Sequence, residues 1–287
     1  MKRILLCTDG SMFSQGSYEY AAWVATRLEA TVDVLYVTDA RKKAAVEARN
    51  FSGSLRAGAS RSLLDQLVAL EHEKAKLDHE QAKLILQEAK QILTSKGVKA
   101  VKSIHETGSL VDYAYHLEAE ADLIILGKRG ETAEFAAGHL GSNVERIIRA
   151  SYKPCLVTSA KFTAIKRLLL AYDGSPSCQK MLQFLIDSPV FQGLELYILI
   201  VAKSDKDETA IARIDEAKKQ AQAGGFNPVC QLIAGNSEVA IAQYAENNNI
   251  DLLMMGAYGH KRIRYLVIGS TTTQILRRIN LPVLLFR

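Results

Sequence analysis

Short, nearly continuous apolar runs alternate along this chain with longer segments in which apolar residues recur at helical spacing. Continuous apolar runs are typical of parallel strands that are buried on both faces of a sheet. The alternation of strand and helix favours parallel strands joined by right-handed crossovers. In the first half of the chain, strands are predicted at residues 2–7, 31–37, 100–105, 122–126 and 154–158.

The second half of the chain repeats the pattern of the first. Residues 166–175 match residues 2–11 position by position, and both segments end in Asp-Gly-Ser. Further correspondences join 194–201 to 31–37, 251–256 to 122–127 and 282–286 to 154–158. We therefore predict an α/β protein of two tandem, doubly wound, Rossmann-like domains with parallel sheets, at residues 1–160 and 164–287.

The first half also contains a long helical insertion at about residues 41–97. Asp173 follows Asp9 by 164 residues, whereas Gly256 follows Gly127 by 129, so the first half holds 35 additional residues. Within the insertion, leucines recur every seven residues, at Leu63, Leu70, Leu77 and Leu84. A coiled-coil seam would explain this spacing, but the second heptad row holds Leu67 and then Lys74 and Gln81. The sequence favours a long helix that packs one stripe against its own domain.

Each half carries an acid and a glycine-rich segment after predicted strands, so both come to the carboxyl edge of a parallel sheet. In the second half these are Asp173 and the segment of residues 256–272. Ligands of doubly wound sheets bind in the crevice at this edge. Glycines let the backbone approach a ligand closely, and Gly269 before Ser270 opens a helix whose free N–H groups suit an anion. The alternative is that these are ordinary loop residues and that Asp9 and Asp173 only cap helices or form turns.

Composition and charge exclude several classes of protein. A length of 287 residues, with 48% hydrophobic and 23% charged residues, is typical of two globular domains, and the net charge of +5 does not indicate a nucleic-acid binder. The sequence has no apolar run long enough to span a membrane, and its N-terminal run is too short for a signal peptide, so we expect a cytoplasmic protein. The four cysteines form no Cys-x-x-Cys pair, which favours buried, reduced thiols at Cys7, Cys155, Cys178 and Cys230.

Motifs of several catalytic chemistries are missing from the sequence. It contains no Gly-x-x-x-x-Gly-Lys-Ser/Thr loop, no Gly-x-Gly-x-x-Gly fingerprint and no Gly-x-Ser-x-Gly elbow. His260 is the one candidate acid–base residue, but no acid is placed to orient it, so a phosphate or loop contact is favoured. We therefore predict no catalytic residue and no metal ligand from the protein.

The spacing of the second glycine-rich segment is specific. Gly256, Gly259, Gly269 and Ser270 fit the pattern Gly, two residues, Gly, nine residues, Gly, then Ser or Thr. This pattern resembles the nucleotide-binding signature of the universal stress protein family, and the chain resembles the tandem form of that family outside residues 41–97. The resemblance implies an adenine-nucleotide α-hydrolase-like fold that binds ATP or a related adenine nucleotide together with Mg²⁺.

The resemblance also assigns the parts of the nucleotide to parts of the second half. Adenine would lie near the end of the second strand, ribose near the acid, and the phosphates on the glycine-rich segment. The implied set is Ala171, Tyr172, Asp173, Val201, Gly256, Ala257, Gly259, His260, Gly269, Ser270 and Thr271. Tyr172 occupies the position of Thr8 in the first half, and stacking on adenine and filling the pocket both remain open for its ring.

The first half departs from the signature. Ten residues separate Gly130 from Gly141, where nine separate Gly259 from Gly269, and the loop carries the acids Glu131 and Glu134. An added acid repels phosphate, so we expect the second half to hold the stronger site. The corresponding set in the first half is Thr8, Asp9, Val37, Gly127, Arg129, Gly130, Gly141, Ser142 and Asn143.

The expected function is that of a nucleotide-dependent regulator or sensor in the stress response, which passes its state to an unidentified protein partner. The two halves are expected to form a pseudo-dimer by pairing their last strands, at residues 154–157 and 282–286, because exposed apolar edges are normally covered. A homodimer of the whole chain stays open. The alternatives are a dimerising scaffold without nucleotide binding and a slow ATPase.

Overall fold

A computed structural model describes residues 2–39, 60–128, 130, 140–257 and 269–287. Most of the apolar runs form strands whose side chains are buried on both faces, as the pattern predicts. The strands are β1 Arg3–Thr8, β2 Thr31–Asp39, β3 Val101–Gly108, β4 Leu123–Gly127, β5 Cys155–Thr158, β6 Arg167–Ala171, β7 Glu195–Ala202, β8 Val229–Ala234, β9 Leu252–Gly256 and β10 Val283–Phe286.

Four of the described helices begin after a residue whose side chain caps them, namely Ser109, Ser175, Asp207 and Asn236. Ser175 accepts a hydrogen bond from the N–H of Cys178, and Asp207 and Asn236 cap the two later crossover helices in the same way. The helices are α1 Ser14–Leu28, α2 Ser60–Ser95, α3 Leu110–Leu117, α4 Ser142–Ala150, α5 Pro176–Asp187, α6 Glu208–Ala223, α7 Ser237–Asn247 and α8 Ser270–Arg278. Within the described ranges, no helix has the length and apolar character that crossing a membrane requires.

All ten strands lie in one sheet, in the order β3-β2-β1-β4-β5-β10-β9-β6-β7-β8. Within each half every neighbouring pair is parallel. The halves meet where β5 and β10 pair antiparallel, with Leu156 opposite Leu284. The predicted α/β fold and the predicted pairing of the last strands are both confirmed.

The core lies on both faces of this sheet and crosses the boundary between the halves. Successive residues of β1 point to opposite faces, so Ile4 belongs to one buried cluster and Leu5 to the other. Leu156 and Leu284 belong to the first cluster, together with residues of both halves. The two halves therefore share their apolar cores as well as their sheet.

The long helix α2 is the crossover between β2 and β3, and α6 is the matching crossover between β7 and β8. This changes the interpretation of the helical insertion, because the second half has the same helix in a shorter form. Helix α2 has 36 residues and α6 has 16, so 20 of the 35 additional residues lengthen a shared element. The other additional residues fall between β2 and α2, outside the described residues.

Among the side chains of α2 that the structure describes, those in the later part pack against the sheet. The buried residues among them are Ala82, Ile85, Leu86, Ala89 and Leu93. Leu70, Leu77 and Leu84 face away from this stripe and are 61%, 70% and 66% exposed. The helix does pack one stripe against its own domain, but the leucines of the seven-residue repeat do not form that stripe.

The segment between β5 and β6 is tied to α1. The hydroxyl of Tyr20 accepts a hydrogen bond from the N–H of Thr163 at 3.2 Å and lies 3.1 Å from the hydroxyl of Ser159. Gly16 lies directly beneath this segment, since a Cβ at Gly16 would be 2.5 Å from the carbonyl oxygen of Ser159. The segment that joins the halves is therefore packed against the first half at a position where only glycine fits.

Candidate functional site

The acid of the second half is held in a tight turn at the carboxyl edge of the sheet. Asp173 follows β6, and its Oδ1 accepts a hydrogen bond from the N–H of Ser175 at 2.8 Å. Gly174 has a φ of +74°, a conformation that side chains other than glycine rarely adopt. Ser175 then caps α5. The turn fixes the carboxylate of Asp173 above the strand ends, where the sequence predicts it.

A cation that sequence reasoning missed lies over this turn. Arg213 of α6 donates a hydrogen bond from Nη1 to the carbonyl oxygen of Asp173 at 3.1 Å. A Cβ at Gly174 would be 2.8 Å from Cδ of Arg213, so the arginine stem lies against the glycine. The sequence could have indicated this arginine only through its position in the crossover helix, and that position is recognised only once α6 is aligned with α2. A guanidinium at this edge favours anionic ligands.

The glycine-rich segment of the second half is pinned at both ends. The N–H of Gly269 donates to the carbonyl oxygen of Ala257 at 3.2 Å, and Oγ1 of Thr272 donates to that of Gly256 at 3.2 Å. Helix α8 begins at Ser270, which is exposed. The first turn of a helix has N–H groups without intrahelical partners, and these suit an anion. The predicted contacts at Gly259 and His260 lie outside the described residues.

Tyr172 is part of the core. Its side chain is only 4% exposed and belongs to the cluster on one face of the sheet. Burial raises the pKa of its phenol to about 12, with smaller contributions from nearby Cys178 and Glu216. The sequence left open whether this ring stacks on adenine or fills the pocket, and the structure packs it in the core. Ala171 and Val201 are half-buried at the ends of β6 and β7, beside the crevice.

The equivalent turn in the first half has the same backbone but different surroundings. Oδ1 of Asp9 accepts hydrogen bonds from the N–H of Ser11 at 3.0 Å and from the hydroxyl of Ser14 at 2.7 Å. Gly10 has a φ of +72°. A Cβ at Gly10 would be 2.4 Å from Cδ1 of Ile85. An apolar side chain of α2 thus covers the turn that Arg213 covers in the second half.

Gly130 of the first half lies against the acid of its crevice. A Cβ at Gly130 would be 2.4 Å from Oδ2 of Asp9, so only a glycine fits beside this carboxylate. Thr8 is buried, and its hydroxyl lies 2.6 Å from that of Tyr18. The approach of Gly130 narrows the space that a ligand would need above Asp9.

The start of α4 is pinned like that of α8, since the N–H of Gly141 donates to the carbonyl oxygen of Lys128 at 3.3 Å. The ammonium group of Lys128 donates to the carbonyl oxygens of Ile279 and Leu281, at 2.6 and 3.2 Å. Gly127, Val37 and Asn143 are half-buried at the same edge of the sheet, whereas Arg129 and the side chain of Ser142 lie outside the described residues. This lysine therefore links the first glycine-rich segment to the end of α8.

The described residues offer little support for nucleophilic catalysis by cysteine or for a protein-bound metal ion. Burial raises the pKa of the Cys7, Cys155 and Cys178 thiols to about 12, so none is a ready nucleophile. In the described ranges, no group of three or more His, Cys, Asp or Glu side chains is arranged to hold a metal ion. What the second half offers is a fixed carboxylate, a cation and a helix N-terminus on one edge of the sheet.

Comparison with known proteins gives concordant results. The sequence profile of the universal stress protein family matches this chain twice, at residues 1–159 and 164–287. Universal stress protein Slr1230 of Synechocystis sp. is 55% identical over 287 residues, which is 100% of this chain and 100% of that protein. The crystal structure of a universal stress protein from Archaeoglobus fulgidus aligns with a TM-score of 0.74 at 23% identity, covering 99% of this chain and 98% of that one. A universal stress protein solved in complex with cAMP covers 55% of this chain at 17% identity, with a TM-score of 0.35.

Proposed function

Because this chain belongs to the universal stress protein family, we propose that it binds ATP or a related adenine nucleotide in the crevice of its second half. In this proposal the protein is a cytoplasmic regulator that reports its nucleotide state to a protein partner. The observation that carries the proposal is the arrangement of Asp173, Arg213 and the N-terminus of α8 at one edge of the sheet. A carboxylate suits ribose hydroxyls, and a guanidinium and free N–H groups suit phosphates.

The residues present fit a nucleotide that brings its own metal ion. Ser270 is exposed in the first turn of α8, where a hydroxyl and backbone N–H groups meet a phosphate. Mg²⁺ is commonly held by one or two carboxylates together with substrate phosphates, rather than by a cage of protein ligands. Asp173 is the carboxylate of this crevice for that role or for ribose. When bound, the metal ion would neutralise phosphate charge.

We expect the ligand to be kept rather than consumed. Fast hydrolysis requires an oriented water and charge stabilisation at the γ-phosphate. The carboxylate of Asp173 is engaged by the N–H of Ser175 and is better suited to ribose or metal than to an attacking water. ATP turnover should therefore lie far below the ~1–100 s⁻¹ of kinases.

The direct test is to denature freshly purified protein and to identify any released nucleotide by chromatography. An adenine nucleotide near one equivalent per chain is the expected result. Protein that releases none and also fails to bind added ATP would contradict the proposal and favour a scaffold.

Phosphate release from ATP with Mg²⁺ separates binding from catalysis. Ser270→Ala and Asp173→Ala proteins, purified in parallel, control for contaminating ATPases. Turnover in the kinase range that is lost in both variants would favour an enzyme.

A further inference from the structure

Three exposed leucines form a row on the outer side of α2. Leu70, Leu77 and Leu84 are 61%, 70% and 66% exposed, and they are seven residues apart. Seven residues make about two helical turns, so the three side chains lie one above another. Large apolar side chains exposed singly are ordinary, whereas a row at heptad spacing supplies one of the two apolar positions through which paired helices contact each other. We call these three residues the leucine row.

Leu70 and Leu77 belong to the part of the helix that the second half lacks, whereas Leu84 corresponds to Ala212 of α6. Residues 68–77 are exposed throughout, whereas the buried stripe of α2 begins at Ala82. The matching helix α6 has 16 residues against 36 in α2. Over residues 68–77, the extra turns therefore add an exposed surface and not a larger core.

Charges alternate along one flank of the leucine row. Glu73, Lys76, Glu80 and Lys83 follow one another at helical spacing, and all four are exposed. Read in the opposite direction, this flank presents base, acid, base and acid. A helix of the same sequence that runs antiparallel therefore brings Glu73 beside Lys83 of the second molecule and Lys76 beside its Glu80.

We propose that the leucine row is a self-association surface, through which two molecules of this chain pair their α2 helices in antiparallel orientation. The twofold axis passes beside Leu77, so that Leu70 of each molecule packs beside Leu84 of the other. On the opposite flank, Lys74 comes near Asp78 of the second molecule. The apolar contacts and the charged contacts thus require the same register. The leucine row lies outside the crevice, so this pairing does not depend on nucleotide binding.

A parallel pairing fits this sequence poorly. In a parallel pair with the leucines in register, residues on one flank of a helix face residues on the opposite flank of the other helix. Glu73 would then face Asp78 of the second molecule, and like charges at such positions destabilise the pair. The charges therefore select the antiparallel arrangement.

The paired surface is small. Specific interfaces that bury less than about 1,200 Å² are weak and transient. Three leucines and two charged flanks from each molecule fall in this class. The dimer should therefore form reversibly as the protein concentration rises.

The first experiment is sedimentation velocity of the full chain, from about 1 µM to about 1 mM, a range that covers weak association. Wild-type protein should shift from the 31.6 kDa monomer to the dimer within this range. Leu77→Glu should raise the dissociation constant roughly 100-fold or more, because it replaces apolar contacts at the axis with two facing charges. The matched control is Val68→Glu, because Val68 is 53% exposed on the same helix and points away from the leucine row. A wild-type monomer throughout, or equal effects of the two substitutions, would overturn the proposal.

The second experiment tests the register by exchanging charges. Lys76→Glu and Glu80→Lys should each weaken the dimer roughly tenfold, because each leaves two like-charged contacts between the molecules. A one-to-one mixture of the two variants should form a mixed dimer about as readily as the wild type, since every contact again joins opposite charges. The like charges within each variant helix persist in the mixture, so recovery can come only from contacts between molecules. A mixture as weak as either variant alone would contradict the antiparallel register.

Discussion

The two halves of this protein build the same crevice and surround it differently. Asp9 and Asp173 lie in the same turn, each followed by a glycine with a φ above +70°. In the second half the side chain of Arg213 covers the turn, and in the first half the apolar side chain of Ile85 covers it. The backbone of a duplicated fold can therefore stay constant while the side chains over the crevice change from cationic to apolar.

The cores behind the two crevices differ in a compensating way. In the first half a small residue, Thr8, ends the strand and Tyr18 of α1 packs beside it. In the second half Tyr172 follows the strand, and Leu182 is the residue that corresponds to Tyr18. Each half thus buries one tyrosine near its acid, supplied by the helix in the first half and by the residue after the strand in the second. Close packing tolerates such exchanges when the total volume is kept.

The largest expected difference between the halves is in nucleotide affinity. Asp173→Ala should weaken binding of a fluorescent ATP analogue by roughly 10- to 100-fold, because a hydrogen bond to a charged group contributes about 1.5–3 kcal/mol. Asp9→Ala, at the equivalent turn, should change the affinity less than about twofold. Fluorescence titration of both variants decides the matter, and equal losses would mean that the two crevices are equivalent.

A second difference concerns stability at the joint between the halves. Gly16→Ala should lower the free energy of unfolding by about 1–3 kcal/mol, because the new Cβ would meet the carbonyl oxygens of Ser159 and Ala160. Lys180 is the equivalent position in the second half and is exposed, so Lys180→Ala is the control. Thermal unfolding of both variants measures the effect. The same melting temperature for both variants would show that the segment between β5 and β6 can shift to accept the new Cβ without a loss of stability.

The side chain over each turn gives a third test. Arg213→Ile, which copies the first half, should weaken nucleotide binding about fivefold, since an exposed charge contributes up to about 1 kcal/mol. The loss should shrink at high salt because exposed charges are screened. Lys219→Ile removes another exposed cation later on the same helix and should have little effect. If both substitutions reduce affinity alike, the arginine acts only through net charge.

The smallest expected effect is a difference in stability between substitutions that affect the hydroxyl groups of Tyr18 and Tyr172. Thr8→Val removes the hydroxyl that lies 2.6 Å from that of Tyr18, and should cost about 1 kcal/mol of stability. Tyr172→Phe should cost less than half of this, because no hydrogen bond of its hydroxyl is found among the described residues. Chemical denaturation of both variants provides the numbers, and the reverse order would refute this account of the exchange.

The sheet was predictable from the sequence because its signals are local and repeated. Apolar runs marked the strands, and the match of residues 166–175 to 2–11 revealed the duplication. Pro154 and Pro282 each open a short apolar run at the end of a half, and these runs became the paired strands β5 and β10. The acids at Asp9 and Asp173 came to the expected edge because strand ends in a parallel sheet share one side.

The contacts that distinguish the two crevices were not predictable in this way. Arg213 and Ile85 reach the turns from crossover helices that are far away in sequence, and the unequal lengths of these helices hid their correspondence. The core position of Tyr172 depends on neighbours from several elements. The contacts of the nucleotide itself, including those at Gly259 and His260, stay predictions.

The antiparallel pairing of β5 and β10 has a consequence for communication between the crevices. All other neighbouring strands are parallel, so the carboxyl edges of the two halves lie on opposite edges of the sheet. Helix α8 begins at the crevice of the second half and ends where Lys128 of the first half binds the carbonyl oxygens of Ile279 and Leu281. Its nine residues span about 13 Å, so one short helix connects the two edges. If a ligand at one edge displaces this helix and so changes the affinity at the other edge, thermodynamic reciprocity requires the two effects to be equal.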